Sequence, residues 1–171
     1  MNEANFPQKC IDLENGRSLD FTGRTLVMGI VNCTPDSFYP DSRAESRVAA
    51  VDLARRMIDD GADILDIGGE STRPGSEGVN TDEEIVRVIP VIEEIRGFSD
   101  IPISIDTRKA VVAGRALERG ADMINDVSAG REDREMLALA AASNRPLVLM
   151  HMRGTPKTMQ QKPYYEDTIT D

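Results

Sequence analysis

The chain has 171 residues, of which 40% are hydrophobic and 29% charged, and its formal net charge is −10. This length suits one domain with a substantial core. The acidic balance argues against nucleic acid or an anionic membrane as a partner, because both need a basic protein face. No apolar run approaches the ~20 residues that cross a bilayer. Two cysteines are too few for a disulfide framework, so we expect a cytoplasmic protein.

The predicted elements alternate between strands and helices after an amino-terminal hairpin. The hairpin spans 9–21 around Asn15-Gly16, a pair that tolerates the positive φ of tight turns. The strands that follow are predicted at 25–32, 62–69, 101–107, 123–127 and 146–152. The helices between them are predicted at 45–60, 81–97, 108–119 and 132–144. Strict alternation implies right-handed crossovers and a parallel sheet, and the continuous apolar strands suggest that both of its faces are covered.

The start of the second predicted helix carries a recognisable capping pattern. Thr81-Asp82-Glu83-Glu84 has the spacing of a capping box, in which Thr81 and Glu84 satisfy each other's backbone amides. We therefore predict that Thr81 is the N-cap of this helix.

Polar residues gather where the predicted strands end. In chain order they are Asn32, Asp66 with the glycine-rich stretch 68–75, Asp106, Asn125 and His151. In a parallel barrel the carboxyl ends of the strands share one mouth, where polar residues bind or react. Taken singly, each has a simpler explanation as a helix cap, a turn residue or a structural histidine. The repetition at every strand end favours a site.

The chemistry of these side chains is specific. Asp106 and Asn125 offer acceptors and an amide donor, which suits a heterocycle edge carrying N–H and C=O groups. Thr72 and Arg73 offer a hydroxyl and a planar donor fork for phosphate. Asn32 is a neutral oxygen ligand, appropriate for a Mg²⁺ held mainly by a substrate's phosphates.

Five motifs in order resemble those of dihydropteroate synthase, an enzyme family of the folate pathway and a sulfonamide target. They lie at 28–38, 66–75, 104–107, 124–127 and 150–160 and read MGIVNCTPDSF, DIGGESTRPG, SIDT, INDV and MHMRGTPKTMQ. The resemblance implies a TIM-barrel fold and a transferase. Its members join para-aminobenzoate to a hydroxymethyl-dihydropterin diphosphate and release pyrophosphate.

The resemblance also implies roles for individual residues. Asn32 would contact the Mg²⁺ bound to pyrophosphate, Thr72 and Arg73 would lie near the diphosphate, and Asp106 and Asn125 would hold the pterin. Arg73, Asp106 and Asn125 are the residues expected to carry catalysis. Phe38 and Pro74 would help form the aminobenzoate pocket, and Met150 would pack against the pterin. Asp66 and His151 are candidates of second rank.

The resemblance covers only the first part of such a barrel. We expect one domain over 1–171, with the motifs in 24–160 and a tail at 161–171. This is a parallel (β/α) TIM-barrel type of α/β fold, incomplete, with about five of the eight β/α units and an amino-terminal hairpin. The family's later Asp, Lys, Arg and His have no counterpart after Gln160.

Three interpretations of the function are consistent with the sequence. The chain is a dihydropteroate synthase that is inactive in isolation, a non-catalytic half-barrel, or a pterin-dependent methyltransferase. The diphosphate-binding pattern of Thr72 and Arg73 argues against the methyltransferase. An open sheet would expose its edges and inner face, so self-association or a complementing chain is expected to cover them.

Overall fold

The structure is a computed structural model that describes residues 10–34, 43–70, 78–151, 164 and 166–167. Within them, five parallel strands alternate with four helices. The strands are β3 (Met28–Asn32), β4 (Ile64–Gly68), β5 (Ile103–Asp106), β6 (Met123–Asp126) and β7 (Leu147–Leu149). The helices are α1 (Arg43–Asp59), α2 (Thr81–Arg96), α3 (Ala110–Glu118) and α4 (Glu135–Ser143). The predicted alternation is confirmed, with each strand shorter than expected.

A β-hairpin precedes the sheet, as predicted. Strand β1 (Cys10–Asp12) pairs antiparallel with β2 (Ser18–Asp20). The connection between them is longer than a two-residue turn, since a 3₁₀ turn occupies Glu14–Gly16. Gly16 has a φ of 74°, the left-handed conformation for which the Asn-Gly pair is suited.

The five-stranded sheet has the order β3-β4-β5-β6-β7. Each strand pairs in parallel with the next one along the chain, which is the winding of a (β/α) barrel. Within the described residues, β3 and β7 are the edges of this sheet. The predicted fold class, an incomplete barrel with about five strands and a hairpin, is therefore confirmed.

The helices cover one face of the sheet and make the main core. Its strand residues are fully buried apolar side chains, namely Val31, Leu65, Ile67, Ile103, Ile105 and Ile124. On the helix side they meet Val88, Val91, Ile92 and Ile95 of α2, four of the residues on its buried face. The helix-covered face is therefore the principal hydrophobic layer.

The opposite, inner face is not uniformly apolar or covered among the described residues. At its amino-terminal end, Leu13 and Leu19 of the hairpin region pack against Ile64 and Met123. The hairpin thus closes this end of the sheet. Farther along the strands, Ile30 on β3 is 57% exposed and Val148 on β7 is 40% exposed. The apolar runs of the edge strands are therefore not buried on both sides here.

A buried carboxylate fastens the hairpin to the sheet. Asp122, which precedes β6, is fully buried and accepts hydrogen bonds from the guanidinium groups of Arg17 and Arg96. It also accepts from the backbone N–H of Ile103 at 2.8 Å. Since Arg17 lies in the hairpin and Arg96 ends α2, this one side chain joins three parts of the fold.

The predicted capping box at Thr81 is wrong by one residue. Asn80 is the N-cap of α2, and its side chain accepts from the backbone N–H of Glu83 at 2.9 Å. Glu84 is buried and pairs with Lys109 instead of reaching back to the helix start. A long-range ion pair has replaced the local hydrogen bond between the Glu84 side chain and the backbone that the spacing suggested.

Among the described helices, none combines the length and apolar character needed to span a membrane.

We predict that Asp122→Ala strongly destabilises the fold. The substitution leaves the positive charges of Arg17 and Arg96 partly buried without their acceptor, which costs ~3–5 kcal/mol of the free energy of unfolding. Urea unfolding followed by circular dichroism measures the loss. Arg115→Ala is the matched control, because the Arg115–Glu118 pair is mostly exposed and should contribute little. Equal midpoints for the two variants would contradict the role of Asp122.

Candidate functional site

The strand register brings the candidate residues into one row across the inner face. Asn32 pairs with Gly68, Gly68 with Asp106, Asp106 with Asn125, and Asn125 with Val148. Residues paired in register on parallel strands project to the same face. Asn32, Asp106 and Asn125 therefore lie side by side at the carboxyl end of the sheet, as the sequence predicted.

A second row lies one pleat deeper on the same face. Asp66 pairs with Ile30 on one side and with Ser104 on the other. Asp66 is 4% exposed and Ser104 is fully buried. The sheet thus carries a buried polar pair directly below the row that holds Asp106 and Asn125.

Hydrogen bonds connect the two rows. Asn125 donates from Nδ2 to Oδ2 of Asp66 over 3.0 Å. The carbonyl oxygen of Asn125 accepts from the backbone N–H of Thr107 over 3.1 Å, which ties the end of β6 to the residue after β5. Both the side chain and the backbone of Asn125 are therefore fixed.

Gly68 leaves open space between Asn32 and Asp106 in the upper row. A Cβ atom added at Gly68 would lie 3.4 Å from Oδ2 of Asp106. This is an ordinary van der Waals distance. Gly68 therefore leaves the Asp106 carboxylate without a side-chain neighbour on β4 in this row.

Burial shifts the acidity of Asp106. Desolvation raises the pKa of this carboxyl to about 7, and the nearby carboxylates of Asp66, Glu84 and Asp126 add to the increase. The positive charge of Arg108 acts in the opposite direction but does not cancel them. A carboxyl whose pKa is raised by burial and by neighbouring charges is a candidate functional group.

Burial also raises the pKa of Asp66. The polar side chains of Ser104 and Asn125 oppose this increase by favouring the charged form. Of these two, Asn125 makes a hydrogen bond of standard geometry, whereas Ser104 Oγ and Asp66 Oδ1 have none among the described residues. Asp66 is thus a deeply placed carboxylate with an incomplete set of partners.

A cluster of ion pairs that the sequence did not predict flanks the site. The buried carboxylate of Glu70, just after β4, pairs with Arg108 and Lys109 just after β5. Lys109 also pairs with buried Glu84 on α2, and Arg108 with exposed Glu132. The adjacent basic residues Arg108 and Lys109 were the signal that the sequence offered. Their proximity to Glu70 follows only from the pairing of β4 with β5.

Two further contacts fix the chain at the end of β4. Arg87 of α2 donates to the carbonyl oxygen of Gly69 over 2.9 Å. A Cβ atom at Gly69 would lie 2.8 Å from Val88 and 2.9 Å from Glu84, so only glycine fits against α2 here. The chain leaving β4 is held against the helix layer.

The described residues include no group of three or more His, Cys, Asp or Glu side chains suited to a metal ion. Asn32, which is exposed at the end of β3, offers a single neutral oxygen. This donor set cannot hold Mg²⁺ by itself but fits an ion that arrives already bound to phosphates.

The other predicted site residues lie after β7 or outside the described part of the chain, and their roles stay predictions. Met150 is half-buried after β7, and its backbone N–H donates to the carbonyl oxygen of Asp126 over 3.3 Å. His151 is exposed. Four predicted residues lie outside the described part of the chain, namely Phe38, Thr72, Arg73 and Pro74.

Cys33 follows Asn32 but is not suited to nucleophilic chemistry. Its side chain is buried, and burial raises the pKa of the thiol to about 12. The reactive thiolate is therefore scarce at neutral pH.

We predict that Asp106→Asn changes how stability depends on pH. Because the pKa of Asp106 rises from 3.8 to about 7 on folding, the folded state binds more protons than the unfolded state between these values. Its contribution to stability is lost as the pH rises through that window. The asparagine side chain does not ionise, so the variant does not lose stability in this pH window. Its free energy of unfolding should exceed that of the parent by roughly 2–4 kcal/mol at pH 8, with a smaller difference at pH 4. Urea unfolding at both pH values tests this, and a difference that does not vary with pH would contradict it.

Comparison with known proteins identifies the family. The family described as "Pterin binding enzyme" matches residues 28–171. Dihydropteroate synthase of Synechocystis sp. is 51% identical over 150 residues, which are 88% of this chain and 52% of that protein. The chain thus spans about half the length of this relative.

Solved structures agree with the sequence comparison. Dihydropteroate synthase of Yersinia pestis, in a sulfonamide drug complex, superposes with a TM-score of 0.84 and 42% identity, covering 94% of this chain and 57% of that one. The Burkholderia cenocepacia enzyme complexed with 7,8-dihydropteroate gives a TM-score of 0.75 and 44% identity, covering 95% and 52%. With the family match extending over most of its length, the chain belongs to the pterin binding enzyme family.

Proposed function

We propose that this protein provides the pterin-binding part of a dihydropteroate synthase. The observation that carries the proposal is the adjacent placement of Asp106 and Asn125 in one row above buried Asp66. The Synechocystis and Burkholderia relatives carry this name, and the latter was solved with 7,8-dihydropteroate. They support the synthase over a pterin-dependent methyltransferase.

The candidate residues suit the pterin ring, the diphosphate and the aminobenzoate. Asp106 accepts hydrogen bonds from ring N–H and amino groups of the pterin, and Asn125 contributes its amide beside it. Ionised Asp106 is stabilised by these donors, so pterin binding favours loss of its proton near neutral pH. Thr72 and Arg73 hold the diphosphate, Phe38 and Pro74 contact the aminobenzoate, and Met150 packs against the pterin ring.

The reaction forms one carbon–nitrogen bond and breaks one carbon–oxygen bond. The bond from the pterin methylene to the diphosphate breaks, and its electron pair leaves with pyrophosphate. The lone pair of the arylamine nitrogen then bonds to the cationic methylene, and that nitrogen loses a proton. The side chains bind and orient the two substrates, and the Arg73 guanidinium stabilises the departing anion.

Magnesium fits this site as an ion carried by the diphosphate. When bound, it neutralises charge on the leaving pyrophosphate. Asn32 would supply one oxygen ligand from the end of β3. The absence of a carboxylate cluster among the described residues agrees with an ion held chiefly by phosphate oxygens.

We also propose that further strands complete the sheet. Ile30 on β3 and Val148 on β7 are exposed at the two edges of the described sheet. Unpaired edges and exposed apolar side chains favour pairing with more strands, from another copy, a complementing chain or a longer parent protein. The free state of Cys10 and Cys33 supports a cytoplasmic location.

We predict that Asp106→Ala weakens pterin binding far more than aminobenzoate binding. The test protein joins residues 1–171 to the remaining part of the Synechocystis enzyme. Loss of the charged acceptor should lower pterin affinity by about 10–100-fold, while aminobenzoate affinity changes little. Calorimetry with each ligand measures this, with exposed Asp52→Ala on α1 as the control. Equal losses for both ligands would remove Asp106 from the pterin site.

We predict that residues 1–171 alone do not form dihydropteroate. The described residues supply only part of the contacts that the reaction needs, whereas the fusion with the Synechocystis segment should restore turnover. The assay follows dihydropteroate formation by monodisperse protein of verified mass. Turnover by the unaided chain would overturn this prediction, and an inactive, well-folded fusion would count against the proposed function itself.

A further inference from the structure

Asp66 is a buried carboxylate whose role the proposed reaction does not explain. It lies one row below Asp106 and Asn125 and is only 4% exposed. Burying such a group is costly unless hydrogen bonds compensate. The hydrogen bond of standard geometry that the described residues give its carboxylate comes from Asn125 Nδ2, at 3.0 Å. The structure therefore couples Asp66 to one particular side chain of the upper row.

This contact determines the orientation of the Asn125 amide. In its ionised form, which Ser104 and Asn125 favour, the Asp66 carboxylate can only accept hydrogen bonds, while the two ends of an asparagine amide differ, one donating and the other accepting. If the amide turned around, its oxygen would face the oxygen of Asp66, and two buried acceptors would oppose each other. Asp66 therefore keeps Nδ2 of Asn125 directed towards the lower row. Oδ1 of Asn125 then remains available to a ligand at the upper row.

We propose that Asp66 is a positioning residue that sets the hydrogen-bonding polarity of the site through Asn125. With the amide held in this orientation, Oδ1 of Asn125 and the carboxylate of Asp106 form neighbouring acceptors on adjacent strands. A ligand edge that presents two donors side by side fits this pair. A ligand edge with an acceptor at the same place meets an oxygen instead.

The specificity consequence rests on the proposed function and deepens it. Pterin carries an amino group next to a ring N–H, which supplies two adjacent donors. Lumazine has the same bicyclic ring but a carbonyl oxygen in place of the amino group. A site with a fixed acceptor should reject lumazine, because hydrogen-bonding sites discriminate strongly against analogues that leave polar groups unpaired.

Nuclear magnetic resonance of the 171-residue chain tests the positioning without any ligand. In protein labelled with ¹⁵N-asparagine, the Nδ2 proton of Asn125 that bonds to Asp66 should resonate downfield of the other asparagine side-chain amide protons. Asp66→Asn should remove this shift, because the new amide can pair with Asn125 in either orientation. Ser104→Ala is the matched control, since it alters the other buried polar neighbour of Asp66 and should keep the shift. An Asn125 resonance within the range of the other asparagine side-chain amide protons in the parent chain, or a shift unchanged in Asp66→Asn, would overturn the positioning role.

Binding of pterin and of lumazine to the same proteins tests the consequence. The parent chain and Ser104→Ala should both prefer pterin, with ratios of affinity that agree within about twofold. Asp66→Asn should lower the ratio by about tenfold, mainly through tighter relative binding of lumazine. An unchanged ratio in Asp66→Asn would overturn the specificity claim. If the parent binds neither compound, the proposed function and its specificity fail together for this chain, while the amide resonances still decide the positioning role.

Discussion

Parallel pairing in register is the constraint on which the rest of this structure depends. Each strand pairs with the next one along the chain, so residues far apart in sequence fall into rows across the sheet. One row contains Asn32, Asp106 and Asn125, and the row below contains Asp66 and Ser104. A shift of one residue in any pairing would turn a strand's polar side chains into the helix-covered core. The apolar core and the candidate site are therefore specified by the same register.

The two faces of the sheet have different energetic roles. The helix-covered face buries apolar side chains and supplies most of the hydrophobic stabilisation. The inner face instead carries buried carboxyls whose charged forms are disfavoured, as the raised pKa values of Asp66 and Asp106 indicate. Ionising these carboxyls therefore costs free energy, and a ligand that brings hydrogen-bond donors reduces this cost. The packed helix-covered face thus provides a rigid support for the polar side chains of the inner face.

The sequence predicted the order and type of the elements, because apolar runs and glycine positions are local signals. It also predicted that Asn32, Asp106 and Asn125 would meet, since polar residues at successive strand ends share one mouth. It failed at contacts set by tertiary structure. Thr81 and Glu84 had capping-box spacing, yet Glu84 pairs with Lys109, and no local rule predicts that Asp66 holds the Asn125 amide.

A crystal structure of the protein with a bound pterin would test whether these strand ends form one site. We expect the pterin on the inner face, with ring donors on the carboxylate of Asp106 and on Oδ1 of Asn125. We also expect Nδ2 of Asn125 to remain bonded to Asp66. A pterin bound away from this row, or one held without Asp106 and Asn125, would show that these strand ends do not form one site.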